Sequence, residues 1–268
     1  MCGFVGIFSP HRRIDTAEID IHAGTRSIRH RGPDADGYYI AEDGRYQVGF
    51  RRLSIIDLDG SDQPIQGADG KRILTGNGEI YNYLELRNQF PNYPYRTRGD
   101  MEVVLAAQEA LGNEFVHALN GMFSLALYDE GSRELILVRD PLGVKPLFWA
   151  RLANGGIGFA SEPRALFAAG MLEPAIDITQ VPNYFAHGYV PAPNTIFQNV
   201  YKLQPGHHLR VGADGGMQSD RYWRARDDVP LPKSREGIIE VLSERFRESV
   251  RRQLRSDVPL GALLSGGI

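Results

Sequence analysis

A single cysteine, at position 2, narrows what this chain can become more than any other feature. A lone thiol excludes an intrachain disulfide framework and argues against a structural zinc site, which usually takes several thiolates. The 268 residues must therefore hold together through a hydrophobic core, and 42% apolar with 24% charged residues is the composition of an ordinary globular protein. The position of the cysteine matters as much as the count. Met1-Cys2-Gly3 leads into the apolar run Phe4-Val5-Gly6-Ile7-Phe8, a strand that begins beside the thiol. Cys2 is small enough for Met1 to be removed after synthesis. One residue would then carry a thiol nucleophile and an α-amine base with a pKa near ~8. A nucleophile with a base beside it is what acyl transfer needs. The plainer alternative is a small buried residue at a strand end; the setting before Gly3 and a strand favours the reactive reading.

Composition disfavours several other classes. A net charge of −3 offers no basic surface for nucleic acid or an anionic membrane. No apolar run approaches the ~20 residues of a bilayer span. The N-terminus lacks the basic-then-apolar layout of a secretory signal, so a cytoplasmic protein is expected. The seven histidines show no metal-ligand spacing, and no metal site is expected.

Short apolar runs separated by turn residues predict many strands. These are 3–8, a hairpin over 38–40 and 46–50, 72–75 leading into Gly76-Asn77-Gly78-Glu79, 122–128, 134–139, 147–150, 156–160 and 208–211. Helices are predicted over 16–28, over 102–111 with Asp100 as its cap, and over 163–169 and 179–187. Strands flanked by helices predict a layered α+β domain. Composition shifts at Asp227-Asp228-Val229-Pro230, which reads as a linker dividing the chain into residues 1–226 and 227–268. Beyond it, Ile238, Ile239, Leu242, Phe246, Val250 and Leu254 recur every three or four residues, the pattern of an amphipathic helix with its arginines mostly toward solvent. Residues 258–264 then read as a buried strand entering Ser265-Gly266-Gly267. That is how an α/β nucleotide-binding unit begins, and the chain stops at Ile268 before its helix.

Taken together, these stretches resemble the glutamine-dependent asparagine synthetase family. The likeness is carried by Met1-Cys2-Gly3, by residues 29–34, by Arg52-Leu53-Ser54-Ile55-Ile56-Asp57, by Asn77-Gly78-Glu79-Ile80-Tyr81-Asn82, and by residues 98–102 and 139–147. Leu263-Leu264-Ser265-Gly266-Gly267 resembles the opening of that family's ATP-pyrophosphatase loop. The first part alone is also similar to other class II amidotransferases.

The resemblance implies a four-layer αββα N-terminal-nucleophile hydrolase sandwich over 1–226, followed by the start of a synthetase domain. It implies that Cys2 attacks the side-chain amide of L-glutamine, giving a thioester and ammonia. Asn77 and Gly78 would supply donors to the oxyanion. Arg52 would grip the substrate carboxylate, and Asp100, with Glu79, would accept from its ammonium. Leu53, Ser54, Ile55 and Ile56 would line the pocket. Residues 29–34 would order a loop near the site or form a plain structural turn; residues 139–147 would be scaffold or would line the route of ammonia, and both choices stay open. The glutaminase reaction needs no cofactor. In the intact parent, ATP and magnesium would activate aspartate, with Leu263, Ser265, Gly266 and Gly267 as nucleotide contacts. The expected partners are glutamine and the synthetase domain, with a homodimer left open. Three alternatives stand beside this reading: an amidotransferase serving another carboxylate, a non-catalytic glutamine-binding or interaction module, and an N-terminal-nucleophile hydrolase for a different amide, which Arg52 and Asp100 argue against.

Overall fold

A computed structural model of the protein describes residues 1–226, 230–264 and 266. The chain opens with β1 (Gly3–Phe8), α1 (Ile21–Ser27), β2 (Ala35–Ile40), β3 (Tyr46–Arg52), β4 (Ile65–Gln66) and β5 (Arg72–Ile80). Three helices follow, α2 (Tyr83–Gln89), α3 (Val103–Leu111) and α4 (Phe115–Ala118), and then β6 (Gly121–Asp129), β7 (Glu134–Arg139), β8 (Phe148–Arg151) and β9 (Ile157–Ala160). The remaining elements are α5 (Pro163–Ala168), α6 (Val181–His187), β10 (Tyr201–Lys202), β11 (His207–Val211), β12 (Met217–Arg221) and α7 (Arg235–Gln253).

The strands form two antiparallel six-stranded sheets, one ordered β10-β8-β9-β1-β3-β2 and the other β12-β11-β7-β6-β5-β4. Side chains alternate across a strand, and here both faces of the central strands are apolar. From β1, Phe4 and Phe8 enter the space between the sheets, while Val5 and Ile7 pack under α1 and α5. From β6, Ala126 and Tyr128 face the first sheet, while Phe123, Leu125 and Leu127 pack against the layer of α2, α3 and α4. The inter-sheet filling is largely aromatic, with Tyr46 stacked on Tyr128 at 4.3 Å between ring centroids. Three apolar layers thus separate four structural ones, the αββα sandwich expected from the sequence. Every residue of β1 and β3 is buried; β1 therefore reads as a continuous apolar run, whereas β3 also buries Gln47, Arg51 and Arg52.

Several local expectations change. The helix expected over 16–28 is confined to Ile21–Ser27, because the Asp20 carboxylate accepts the Ala23 N–H and starts the helix there. Asp100 does not cap α3, which begins at Val103 with Glu102 at the N-cap position and no side-chain cap; the Asp100 carboxylate accepts the Ile80 N–H instead, at 2.8 Å. The strand expected over 72–75 continues without a break to Ile80, since Asn77 and Gly78 pair across to Ser124 and Phe123. The strand expected over 258–264 is not formed. Leu260, Leu263 and Leu264 are exposed, and a strand without a partner strand has nothing to close its backbone hydrogen bonds. The expected helix near the C-terminus is α7, whose apolar residues Ile238, Leu242 and Phe246 are exposed. Among the described residues, no helix is long and apolar enough to cross a membrane.

Candidate active site

The period of two places the key side chains. On β1 the even-numbered residues face the second sheet, and Cys2, one residue before the strand, packs against the same inter-sheet cluster. On β5, Ile73 faces the first sheet and Leu74 the helix layer, so Asn77 shares the direction of Ile73. The thiol and the amide therefore approach each other from opposite sheets, at the end of the sandwich. A cleft of about 240 Å³ opens between them, lined by Met1, Cys2, Asn77, Gly78, Glu79 and Asp100, and on its other wall by Arg52, Leu53, Ile55 and Ile56. Since liquid water takes about 30 Å³ per molecule, this is room for one small polar molecule.

Nine of the ten residues expected at the glutamine site line this cleft; Ser54 does not. Its N–H donates to Asp34 Oδ2 at 2.8 Å, so it acts by fixing the loop. Arg31, from the same 29–34 stretch, donates through Nε to the Cys2 carbonyl at 2.9 Å and through Nη1 to Glu162 at 3.0 Å. That stretch therefore ties down both the nucleophile and the neighbouring wall. Cys2 Sγ is held by the Leu53 backbone, with the N–H at 3.4 Å and the carbonyl at 3.6 Å. Burial pushes the thiol up, against the opposing pull of the Leu53 N–H and the terminal ammonium. Burial likewise lowers the α-ammonium of Met1.

Two donors stand ready on β5. Among the described residues, Asn77 Nδ2 is buried and has no hydrogen-bond partner. The second follows from the ladder. Backbone groups of alternate residues point the same way along a strand. The Gly76 N–H bonds to Gln63 Oε1 at 2.6 Å and the Ile80 N–H to Asp100 Oδ2. By that alternation the Gly78 N–H lies between them on the same edge, and Gly78 itself lines the cleft. Phe123, opposite Gly78, donates its N–H to Asp140 Oδ2 and accepts the Asp140 N–H at its carbonyl. Only glycine fits at 78: φ is +153°, and a Cβ there would overlap the Met122 carbonyl oxygen.

The charged groups divide the cleft. Burial pushes the Asp100 carboxyl up to about 6. Burial also raises Glu79, opposed by Lys145, and it lowers the Lys145 ammonium, opposed by Glu79 and Cys2. Arg52 is buried and already engaged. Nη1 donates to Leu58 O and to Asp62 Oδ1, while Nη2 donates to Asp57 O and, at 3.4 Å, to Ile56 O. Nε makes no hydrogen bond among the described residues.

Sequence reasoning passed over Lys145, Gln63 and Met122, all of which line the cleft. Lys145 sits inside the 139–147 stretch, where the sequence leaves scaffold and lining for ammonia both open. The scaffold role of that stretch is plain: the Asp140 carboxylate accepts the N–H groups of Leu142, Val144 and Lys145, and Arg139 donates to the carbonyls of Gly143, Lys145 and Leu203. Of the expected nucleotide contacts, Ser265 and Gly267 lie outside the described residues. Leu263 and Gly266 are exposed and far from enclosing anything.

Comparison with known proteins adds an independent finding. Residues 1–223 match the family model of the glutamine amidotransferase domain, and residues 241–268 match that of asparagine synthase. The chain is 36% identical over 272 residues to glutamine-hydrolysing asparagine synthetase 1 of Bacillus subtilis (strain 168), covering 100% of this chain and 42% of that protein. It is 33% identical over 290 residues to a putative glutamine-hydrolysing asparagine synthetase 2 of Methanocaldococcus jannaschii, covering 100% of this chain and 55% of that one. The chain thus spans about half the length of these curated relatives, or less. Among solved structures, the glutamine phosphoribosylpyrophosphate amidotransferase of B. subtilis complexed with ADP and GMP superposes with a TM-score of 0.62 over 84% of this chain and 50% of that one. At 19% identity that likeness is one of fold.

Proposed function

This chain belongs to the glutamine amidotransferase domain family, and from that premise we propose that it hydrolyses L-glutamine to glutamate and ammonia through a thioester on Cys2. The observation that carries the reading is Asn77 Nδ2, buried and without a hydrogen-bond partner among the described residues, on the small cleft that Cys2 and Gly78 also line.

Removal of Met1 gives Cys2 a free α-amine. That amine takes the thiol proton as Sγ attacks the side-chain carbonyl of glutamine. The tetrahedral oxyanion sits between Asn77 Nδ2 and the Gly78 N–H, each such donor being worth about 3–4 kcal/mol in the transition state. Collapse passes the proton to the leaving nitrogen, ammonia departs, and water releases glutamate. Asp100, with Glu79 beside it, takes the substrate ammonium, whose charge offsets the penalty that burial places on both carboxylates. Arg52 takes the α-carboxylate. Its unbonded Nε and its Nη2 form a side-on fork, and Nη2 needs to give up only the long bond to Ile56. Holding both ends of the amino acid sets the distance from its amide to Cys2. That is the means of refusing asparagine, since one methylene alone is worth only about 1–3 kcal/mol.

In a longer parent, residues 1–226 form the glutaminase unit and residues 227–268 begin the synthetase unit. The ammonia is passed to the side-chain carboxylate of aspartate in an ATP- and magnesium-dependent amidation. The match of residues 241–268 to asparagine synthase supports that acceptor. The described residues 260–264 and Gly266 are exposed and enclose no nucleotide site themselves. A lone unpaired thiol suits the reducing cytoplasm.

The test is glutamine-dependent ammonia release by the purified chain, with intact mass read on the same sample. Release from a chain that has lost Met1 is expected. No release from a chain with a free Cys2, even when a synthetase partner is added, refutes the hydrolase reading and leaves a binding module.

A further inference from the structure

The stretch just after α7 touches the cleft at a telling place. Arg255 Nη1 donates to the Tyr81 carbonyl at 2.6 Å, its guanidinium meets Glu85 at 3.3 Å, and it lies 5.6 Å from the Tyr83 ring centroid. Two residues on, Asp257 bonds to both sides of one loop. Its carboxylate accepts the Asp57 N–H at 2.7 Å, and its own N–H donates to the Ile55 carbonyl at 2.9 Å. Among the described residues, the hydrogen bonds from residues beyond Pro230 to the sandwich all come from Arg255 and Asp257.

Asp57 is no ordinary anchor. It is held at φ +53°, in the left-handed region, a conformation that a non-glycine residue keeps only when its surroundings impose it. Its carboxylate accepts the Ser61 hydroxyl at 2.7 Å and the N–H groups of Arg98 at 2.8 Å and Gly99 at 3.2 Å. Asp100 follows directly. Asp57 therefore joins the wall that carries Ile55 and Ile56 to the turn that carries Asp100, and Asp257 grips that junction from outside.

We infer that Asp257 is a positioning residue for the glutamine site: docked on Asp57 and Ile55, it holds both walls of the cleft in register, so that the stretch following α7 sets the affinity for glutamine. This rests on the glutamine reading above. The carboxylate–N–H bond is charge-assisted, but Asp257 is exposed and stabilises one loop geometry without bearing on the core. Its loss is expected to loosen substrate binding and leave Cys2 chemistry intact.

The experiment compares the full chain with Asp257→Ala and Asp257→Asn. It reads steady-state glutamine kinetics together with amide hydrogen exchange over residues 53–58 and 96–100. Asp257→Ala is expected to raise KM about tenfold with kcat within about threefold, and to speed exchange in both segments. Asp257→Asn keeps an acceptor oxygen and is expected to restore both readouts to near the wild type. Wild-type exchange in Asp257→Ala overturns the inference, as does an Asp257→Asn chain that loosens equally. Faster exchange with unchanged KM overturns the link to substrate. A wild-type chain that neither binds nor hydrolyses glutamine refutes the glutamine reading instead, and the exchange comparison still decides whether Asp257 holds the two walls.

Discussion

Asp100→Asn separates stability from function at a single atom. Burial pushes the Asp100 carboxyl from 3.8 up to about 6. The folded chain therefore holds that proton more tightly than the unfolded chain. Stability is highest below the unfolded value, falls as pH rises through about 6, and stays reduced above it. A rise of roughly two units corresponds to about 3 kcal/mol. Asparagine keeps an oxygen for the Ile80 N–H and removes the charge, so at pH 8 the variant is expected to be up to about 3 kcal/mol more stable, several degrees in Tm. The same change deletes the acceptor for the substrate ammonium. With Asp100 present, binding needs the carboxylate, whose ionised fraction in the free chain drops about tenfold between pH 7 and pH 5. The Kd for glutamine should rise by about that factor. Glu79, raised by burial in the same cleft, shares the dependence, so the variant loses most of it and not all. Calorimetric titration of glutamine from pH 5 to 8, in a Cys2→Ala background that binds without turnover, reads the first quantity; thermal unfolding over the same range reads the second. A Kd that is flat between pH 5 and 7 would refute the ammonium role. A variant no more stable than its parent at pH 8 would refute the burial argument.

Three further outcomes are expected. Cys2→Ala abolishes ammonia release while the calorimetric Kd for glutamine stays within about threefold of that of a wild-type chain trapped before turnover; residual release at wild-type rate would remove Cys2 as nucleophile. Asn77→Ala lowers kcat about 10²–10³-fold with little change in KM, the signature of a donor used only in the transition state, and stopped-time ammonia assays distinguish this from a binding defect, which raises KM alone. Gly78→Ala destabilises the whole domain, because the Met122 backbone leaves no space for a Cβ and φ is unfavourable; a denaturant midpoint equal to that of the wild type would contradict the geometry.

How much of this was legible in the sequence depended on the range of the interaction. The run Phe4-Val5-Gly6-Ile7-Phe8 announces a strand because both of its faces are apolar. Residues of one motif, such as Asn77 and Gly78, fall at the same cleft because they share a strand. The cap expected of Asp100 failed, since its true partner, the Ile80 N–H, is twenty residues away across the fold. Lys145 was missed for the same reason: nothing local distinguishes it from the scaffold residues around it, and its nearness to Glu79 and Cys2 exists only after folding. Arg52 was legible as a site residue, but its bonds to the 56–58 carbonyls were not. Residues 258–264 have the composition of a buried strand, yet composition cannot supply the neighbouring strand that would make it one.

The thiol and its opposing amide hang from different sheets, and the aromatic layer around Tyr46, Tyr128, Phe4 and Phe159 sets the gap between those sheets. That layer works as a shim. A thinner or thicker filling that the fold tolerates still changes how far Sγ must travel, and attack distance enters the rate exponentially. A survey of substitutions scored by turnover should therefore find sensitive positions in the middle of the sandwich, well away from any substrate atom. Those positions would look silent in a survey scored by folding alone.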